Sequence, residues 1–236
     1  MISLRQFYYD MFSHFYDFVI RLHSRDIEGS LRRFISEKTN LSKGDRALDL
    51  CSGTGSVAIE LAKQVGEKGL VIGLDFSRGM IEKAKEKARN SKIDGIHLVQ
   101  ANASQLPFKE SSFHGVTCSH AFYELKGYER AEAINEVARV LTDGGRFCLM
   151  EHAKPQRRIP RLLFYIRILF LGAKDARRFL GEEEAILGER FKKVVGQKSP
   201  TGQSKLIYAE KGERPDRILR GKRTETSGEA VGGQEG

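Results

Sequence analysis

From residue 39 to residue 211 the chain alternates short apolar runs with longer stretches of helical period. RALDL (46–50) reads as a buried strand and Ser56–Val65 as a helix. LVIGLD (70–75) is a second strand, followed by a helix over Arg78–Asn90 rich in Lys, Glu and Ala. GIHLVQA (95–101) and GVTCSH (115–120) are strands, 128–141 a helix, and GRFCLMEH (145–152) a fifth strand. Such alternation predicts parallel strands joined by crossover helices. The ending differs. FKKVVGQKS (191–199) and QSKLIYAEK (203–211) are separated by only Pro200, Thr201 and Gly202. A loop that short joins antiparallel neighbours, not parallel ones. The predicted fold is therefore α/β: a Rossmann-like sheet of seven strands, five parallel plus a terminal antiparallel hairpin, flanked by helices. Residues 1–38, aromatic and amphipathic, predict an N-terminal helical lid. Residues 212–236, rich in Gly, Glu and Arg with no large apolar group after Leu219 except Val231, predict a disordered tail.

Composition narrows the class without changing that picture. Of the 236 residues, 40% are apolar and 30% charged, the balance of a globular protein with a proper core. Cys51, Cys118 and Cys148 form no CxxC pair, so the spacing indicates neither a zinc site nor a disulfide framework. They are expected to be reduced thiols, which with the absence of a signal-peptide pattern gives a cytoplasmic protein as the expectation. No stretch reaches the roughly 20 apolar residues that a spanning helix requires. The net charge of +9 is mostly local, because 154–178 holds eight basic residues against the single acid Asp175.

Candidate chemistry begins at the first strand's carboxyl end. Asp49 closes the apolar run, and Gly53 and Gly55 follow in a turn that lets backbone approach a ligand. Asp75 ends the second strand, where an acid can accept both hydroxyls of a ribose. The turn reads Cys51-Ser52-Gly53-Thr54-Gly55-Ser56, so the first glycine of a phosphate loop is missing and no basic residue lies within it. Asp49 would repel a phosphate and attract a cation. A ribose at one end and an ammonium at the other describes S-adenosylmethionine. A nicotinamide dinucleotide fits the turn less well.

At these residues the sequence resembles the class I S-adenosylmethionine-dependent methyltransferases. LDLCSGTG is similar to their first motif and GLDFSRGMIEKAKEK to the second. QANASQLPF, FHGVTCSHAFYEL and EVARVLTDGGRFCLMEHAKP resemble the segments around the third, fourth and fifth strands. Within that group, ANASQLPF, VARVLTDGGR, LMEHAKP and the N-terminal MFSHFYD resemble the ubiquinone/menaquinone-biosynthesis C-methyltransferases. The resemblance implies that 39–211 is the S-adenosylmethionine-binding methyltransferase domain. It implies a methionine-end loop of Asp49, Gly53, Thr54 and Gly55, a ribose acid at Asp75, and an adenine cover at Phe76. Asn102 and Ala103 would meet the adenine edge and Ser119 would line the pocket. The chain departs from that family after the fourth strand, where AFYELKG replaces a Gly-Leu-Arg-Asn-like run facing substrate. His114 and Asp143 replace an Asp and a Pro outside the site.

Methyl transfer needs no metal. It needs water excluded and acceptor, methyl and sulfur in line. A phenolic or hydroquinone acceptor also benefits from a base that takes its hydroxyl proton. The candidates are His120, Tyr123, Glu124, Glu151 and His152, with His120 and His152 at the ends of adjacent strands. RRIPRLLFYIRILFLGAK (157–174) mixes arginines with bulky aliphatics. It reads either as an interfacial helix on an anionic membrane or as a cap over the active site. Its aliphatics argue against nucleic acid. The expected acceptor is small and hydrophobic or lipid-like, such as a demethylated quinone. The alternatives are a phospholipid amine and a nonenzymatic S-adenosylmethionine-binding role.

Overall fold

A computed structural model describes residues 29–153, 176–202 and 204–213. The aromatic segment 1–28, the basic apolar segment 157–174 and the tail from 214 onward lie outside the described residues. The elements are α1 (Ser30–Lys38), β1 (Arg46–Leu50), α2 (Ser56–Val65), β2 (Leu70–Asp75), α3 (Arg78–Asn90) and β3 (Ile96–Gln100). Then come β4 (Phe113–Ser119), a 3-10 turn (Phe122–Glu124), α4 (Gly127–Val140), β5 (Leu141–His152), α5 (Ala176–Gly188), β6 (Lys193–Lys198) and β7 (Ser204–Glu210).

The seven strands form one sheet in the order β3-β2-β1-β4-β5-β7-β6. β1 pairs in parallel with β2 and β4, β2 with β3, and β4 with β5. β7 enters antiparallel between β5 and β6. The expected topology is therefore the observed one. The order reverses at β1, which has β2 on one side and β4 on the other. In sheets of this type the crevice for ligands opens there, beyond the carboxyl ends of the strands.

Alternation along each strand sends neighbours to opposite faces. Leu48 and Leu50 join one apolar cluster with Phe147, Leu149, Ile207 and the α4 residues Ala133, Ile134 and Val137. Ala47, Cys148, Met150 and Leu206 join the other, against Val57, Ala58, Leu61, Ala62 and Val65 of α2 and Leu31 and Ile35 of α1. Each fully buried leucine of this kind contributes about 1.5–3 kcal/mol by leaving water. β5 starts four residues earlier than its apolar run suggests. Its pairing with β4 jumps from Phe113↔Leu141 to Gly115↔Arg146, a bulge taken up by Asp143 and by Gly144 at φ 74°.

Two elements have no counterpart among the strands and helices expected from sequence. The turn Phe122–Glu124 follows β4 and is wholly buried. α5 buries Phe179, Leu180, Glu183 and Leu187 along one stripe. The acid in that stripe masks the helical period. It is accommodated because Lys205 on β7 reaches Glu183 Oε2 at 2.7 Å and also donates to Leu180 O. No described helix is long and apolar enough to cross a membrane.

Candidate active site at the strand ends

Across the carboxyl edge of the sheet, the first turn is held from three sides. Gly53 and Gly55 sit at φ 52° and 78°, and Cys51 also adopts a left-handed backbone at 54°. A side chain at Gly55 would meet Ala84 Cβ of α3 at 3.1 Å, so this glycine lets α2 and α3 close on each other. Ser52 N–H donates to Leu74 O at 2.9 Å. Gly53 N–H donates to Asp75 Oδ2 at 2.9 Å. These two bonds hang the turn on the end of β2.

Asp75 is almost fully buried, and its other oxygen accepts from Ser77 N–H at 2.9 Å. Ser77 in turn caps α3 by accepting from Met80 N–H at 3.1 Å. These two backbone bonds orient the Asp75 carboxylate at the end of β2. Phe76 follows at the mouth, half-buried, with its carbonyl accepting from Gln100 Nε2 at 3.1 Å.

Asp49 is placed differently from a group that meets a ligand directly. Its side chain is buried between β1, α2 and β4, where Oδ1 accepts from Thr117 Oγ1 at 2.8 Å and Oδ2 from Ala58 N–H at 3.1 Å. It thus fastens the first turn of α2 to the sheet. Burial pushes its carboxyl up to about 7, against the opposing pull of the Thr117 and Ala58 bonds, and nearby Asp75 adds to the rise. A cation arriving at the turn would favour the charged form. The Cys118 thiol beside it is pushed well up by burial and by its hydrogen bond with Cys51.

Thr54 is buried and accepts from Lys87 Nζ at 2.8 Å, while the same ammonium donates to Ser56 Oγ at 2.9 Å. The turn itself carries no basic residue, yet α3 brings one against its buried side. Nothing in the spacing singles out Lys87 from the other lysines of α3. Beyond β3, Asn102 is exposed and its Oδ1 accepts from Ser104 N–H at 3.0 Å, forming a local turn. Ala103 packs in the core.

On the other side of β1, the ends of β4 and β5 gather the titratable groups. His120 has a left-handed backbone at φ 55°, a conformation that few residues other than glycine adopt. Its N–H donates to Met150 O at 2.7 Å. Its ring nitrogens lie 2.9 Å from Ser119 Oγ and 2.8 Å from Ser204 Oγ. The His152 ring lies 4.5 Å from it, centroid to centroid, and 5.5 Å from Tyr123. Tyr123 is fully buried, with its hydroxyl donating to Glu124 Oε1 at 2.9 Å. Glu151 is equally buried and accepts from Tyr123 N–H at 3.1 Å. Burial pushes its carboxyl well up, aided by the neighbouring charges of Glu183 and Glu124. Tyr123, Glu124 and Glu151 thus form the floor, and the two half-buried histidines stand above it.

The chain is similar in sequence and in fold to known proteins. A family model described as the ubiE/COQ5 methyltransferase family matches residues 6–169. The chain is 33% identical over 187 residues to a demethylmenaquinone methyltransferase of Oceanobacillus iheyensis, covering 78% of this chain and 77% of that one. It is 32% identical over 167 residues to the ubiquinone/menaquinone biosynthesis C-methyltransferase UbiE of Geobacter sulfurreducens, covering 68% of this chain and 64% of that one. The fold is similar to a crystal structure of a SAM-dependent methyltransferase from Aquifex aeolicus. That match has a TM-score of 0.61 at 21% identity and covers 80% of this chain and 96% of that one.

Proposed function

Because the chain belongs to the ubiE/COQ5 methyltransferase family, we propose that it methylates a ring carbon of a reduced, lipid-tailed quinone. S-adenosylmethionine is the methyl donor. The observation that carries the proposal is Asp75: a buried carboxylate oriented by two backbone N–H groups, at the end of β2 and beside a glycine turn. That donor set suits a ribose diol. The left-handed turn suits the amino-acid end of the same molecule.

When bound, S-adenosylmethionine supplies a methyl group activated by its sulfonium. The chain's own residues do the rest. Asp75 accepts the ribose hydroxyls. Gly53 and Gly55 keep the turn free of side chains where the methionine end lies. Asp49 acts from beneath, anchoring α2 and presenting a carboxyl that charges as a cation approaches. Phe76 covers the adenine, and the backbone at Asn102 and Ala103 meets its edge. Ser119 and the β4–β5 ends face the acceptor.

The two relatives carry names of quinone-methylating enzymes, which supports a quinone acceptor here. Neither N-methylation of a phospholipid amine nor a nonenzymatic role draws support from them. The basic apolar segment 157–174 would bring the enzyme to the anionic surface where such an acceptor resides. The test is to incubate the purified protein with S-adenosylmethionine and a chemically reduced demethylated naphthoquinone. A product heavier by one methylene, with the new methyl on ring carbon, is expected. Methylation of phosphatidylethanolamine but not of the hydroquinone would refute the proposal.

A further inference from the structure

We infer that Cys51 and Cys118 are a modification site: a dithiol that hydrogen peroxide closes to a disulfide, loosening the turn that receives the methyl donor. The inference goes beyond the acceptor assignment and rests on the placement of the methionine end at that turn.

The backbone brings the two thiols together. Leu50 is level with Cys118 in the β1–β4 pair, so the two share a face, and both lie in the same apolar cluster. By alternation, the residue after Leu50 belongs to the opposite face. Cys51 leaves the strand instead: its backbone is left-handed at φ 54°, and its side chain packs on the cluster that holds Leu50 and Cys118. There it is hydrogen-bonded with the Cys118 thiol. A left-handed cysteine at a functional turn is a conformation that its surroundings must hold in place. Both thiols are free. Cys148, the third cysteine, lies in the other cluster, on the far face of the sheet.

Exposure sets the order of reaction. Cys118 is fully buried, whereas Cys51 is half-buried at the carboxyl end of β1. A peroxide therefore meets Cys51 first. The Cys51 sulfur attacks one peroxide oxygen, the oxygen–oxygen bond breaks, and the thiol proton leaves with the departing oxygen as water. Cys51 is then a sulfenic acid. The Cys118 sulfur attacks it: the sulfur–sulfur bond forms, the sulfur–oxygen bond breaks, and the leaving hydroxide takes the Cys118 proton as a second water. Two thiols and one hydrogen peroxide become one disulfide and two waters.

The bond forms where the donor turn is most sensitive. β2 and β4 flank β1 on opposite sides. The turn hangs on β2, through Ser52 N–H on Leu74 O and Gly53 N–H on Asp75 Oδ2. Ser52 also leans on that strand, where a side chain at Gly73 would meet its Oγ at 3.2 Å. Cys118 belongs to β4. Drawing Cys51 into bonding distance of Cys118 pulls the turn away from β2, against both backbone bonds. Gly53 moves with it, and Asp75 loses an N–H that orients one of its oxygens. Oxidation of one pair of sulfurs is thus felt at both the methionine end and the ribose end of the donor.

The test uses the full chain, either reduced or treated with hydrogen peroxide and then freed of it. Digestion without reductant and mass spectrometry should find peptides joined through Cys51 and Cys118, lighter by two hydrogens than the separate thiol peptides. By calorimetry, S-adenosylmethionine affinity should fall roughly tenfold or more in the treated protein, the scale of one lost hydrogen bond to a charged group. Dithiothreitol should restore it. Cys118→Ala should bind the donor as the reduced wild type does and keep that affinity after treatment. Cys118→Ser repeats the comparison with less change of volume, and Cys148→Ala should respond as the wild type does. A joined peptide with unchanged donor affinity overturns the inference. So does oxidation of Cys51 with no link to Cys118, or a reversible loss of affinity in both Cys118 variants equal to that of the wild type. A reduced wild type that binds no S-adenosylmethionine overturns the placement of the donor, and this inference with it.

Discussion

The two halves of the strand-end crevice are built from different materials. On the β1–β2 side the functional surface is backbone, shaped by left-handed residues and hung on buried carboxylates. On the β4–β5 side it is side chain, with two imidazoles over a floor of buried acids. A donor common to many reactions can be gripped by geometry alone. An acceptor that must lose a proton calls for groups that titrate. Substitutions on the first side should therefore be felt in binding, and those on the second in turnover.

The sharpest way to break that division is Asp75→Ala. It removes the acceptor for a ribose and leaves the Gly53 and Ser77 N–H groups without their partner. Hydrogen bonds to a charged group contribute about 1.5–3 kcal/mol each, so S-adenosylmethionine affinity should fall roughly 100-fold by calorimetry. Gly55→Ala comes next. A left-handed alanine facing Ala84 at 3.1 Å is strained and crowded, and thermal unfolding should report a loss of about 1–3 kcal/mol.

Asp49 gives a pH signature confined to the donor side. Its folded carboxyl titrates at about 7 and its unfolded one near 3.8. The stability it contributes is therefore full below 3.8 and lost as pH rises through 7. Binding runs the other way. A cationic donor prefers the carboxylate, so affinity should rise across pH 7, by at most about tenfold per pH unit. Asp49→Asn should remove that rise, measured as the difference between the two proteins' binding profiles. The smallest effect is expected at Lys87. Lys87→Met removes two hydroxyl bonds behind the turn and should weaken donor binding only a few-fold.

The same division explains what was legible in the sequence. The strands RALDL and LVIGLD, the helices Ser56–Val65 and Arg78–Asn90, and the closing hairpin follow from period and loop length, and all occur as expected. Asp49, Gly53, Gly55 and Asp75 stand out because turns and strand ends impose residue types locally. The direction in which Asp49 acts did not stand out. Its inward bonds to Thr117 and Ala58 depend on β4 lying beside β1, a contact across 68 residues of chain. Lys87 escaped for the same reason, being 33 residues from Thr54. α5 was hidden by Glu183, a charge in an apolar stripe that only its Lys205 partner makes tolerable. His120 and His152 were visible as neighbours at strand ends. Their 4.5 Å ring contact depends on the β4–β5 register and on Ser204 arriving from β7.

Donor recognition at the β1–β2 turn is tested first by a calorimetric titration of the purified protein with S-adenosylmethionine, S-adenosylhomocysteine and NAD. Micromolar binding of the first two and none of the third is expected. Tight binding of NAD, with none of the methyl donor, would contradict it and make the turn at Gly53 a phosphate loop.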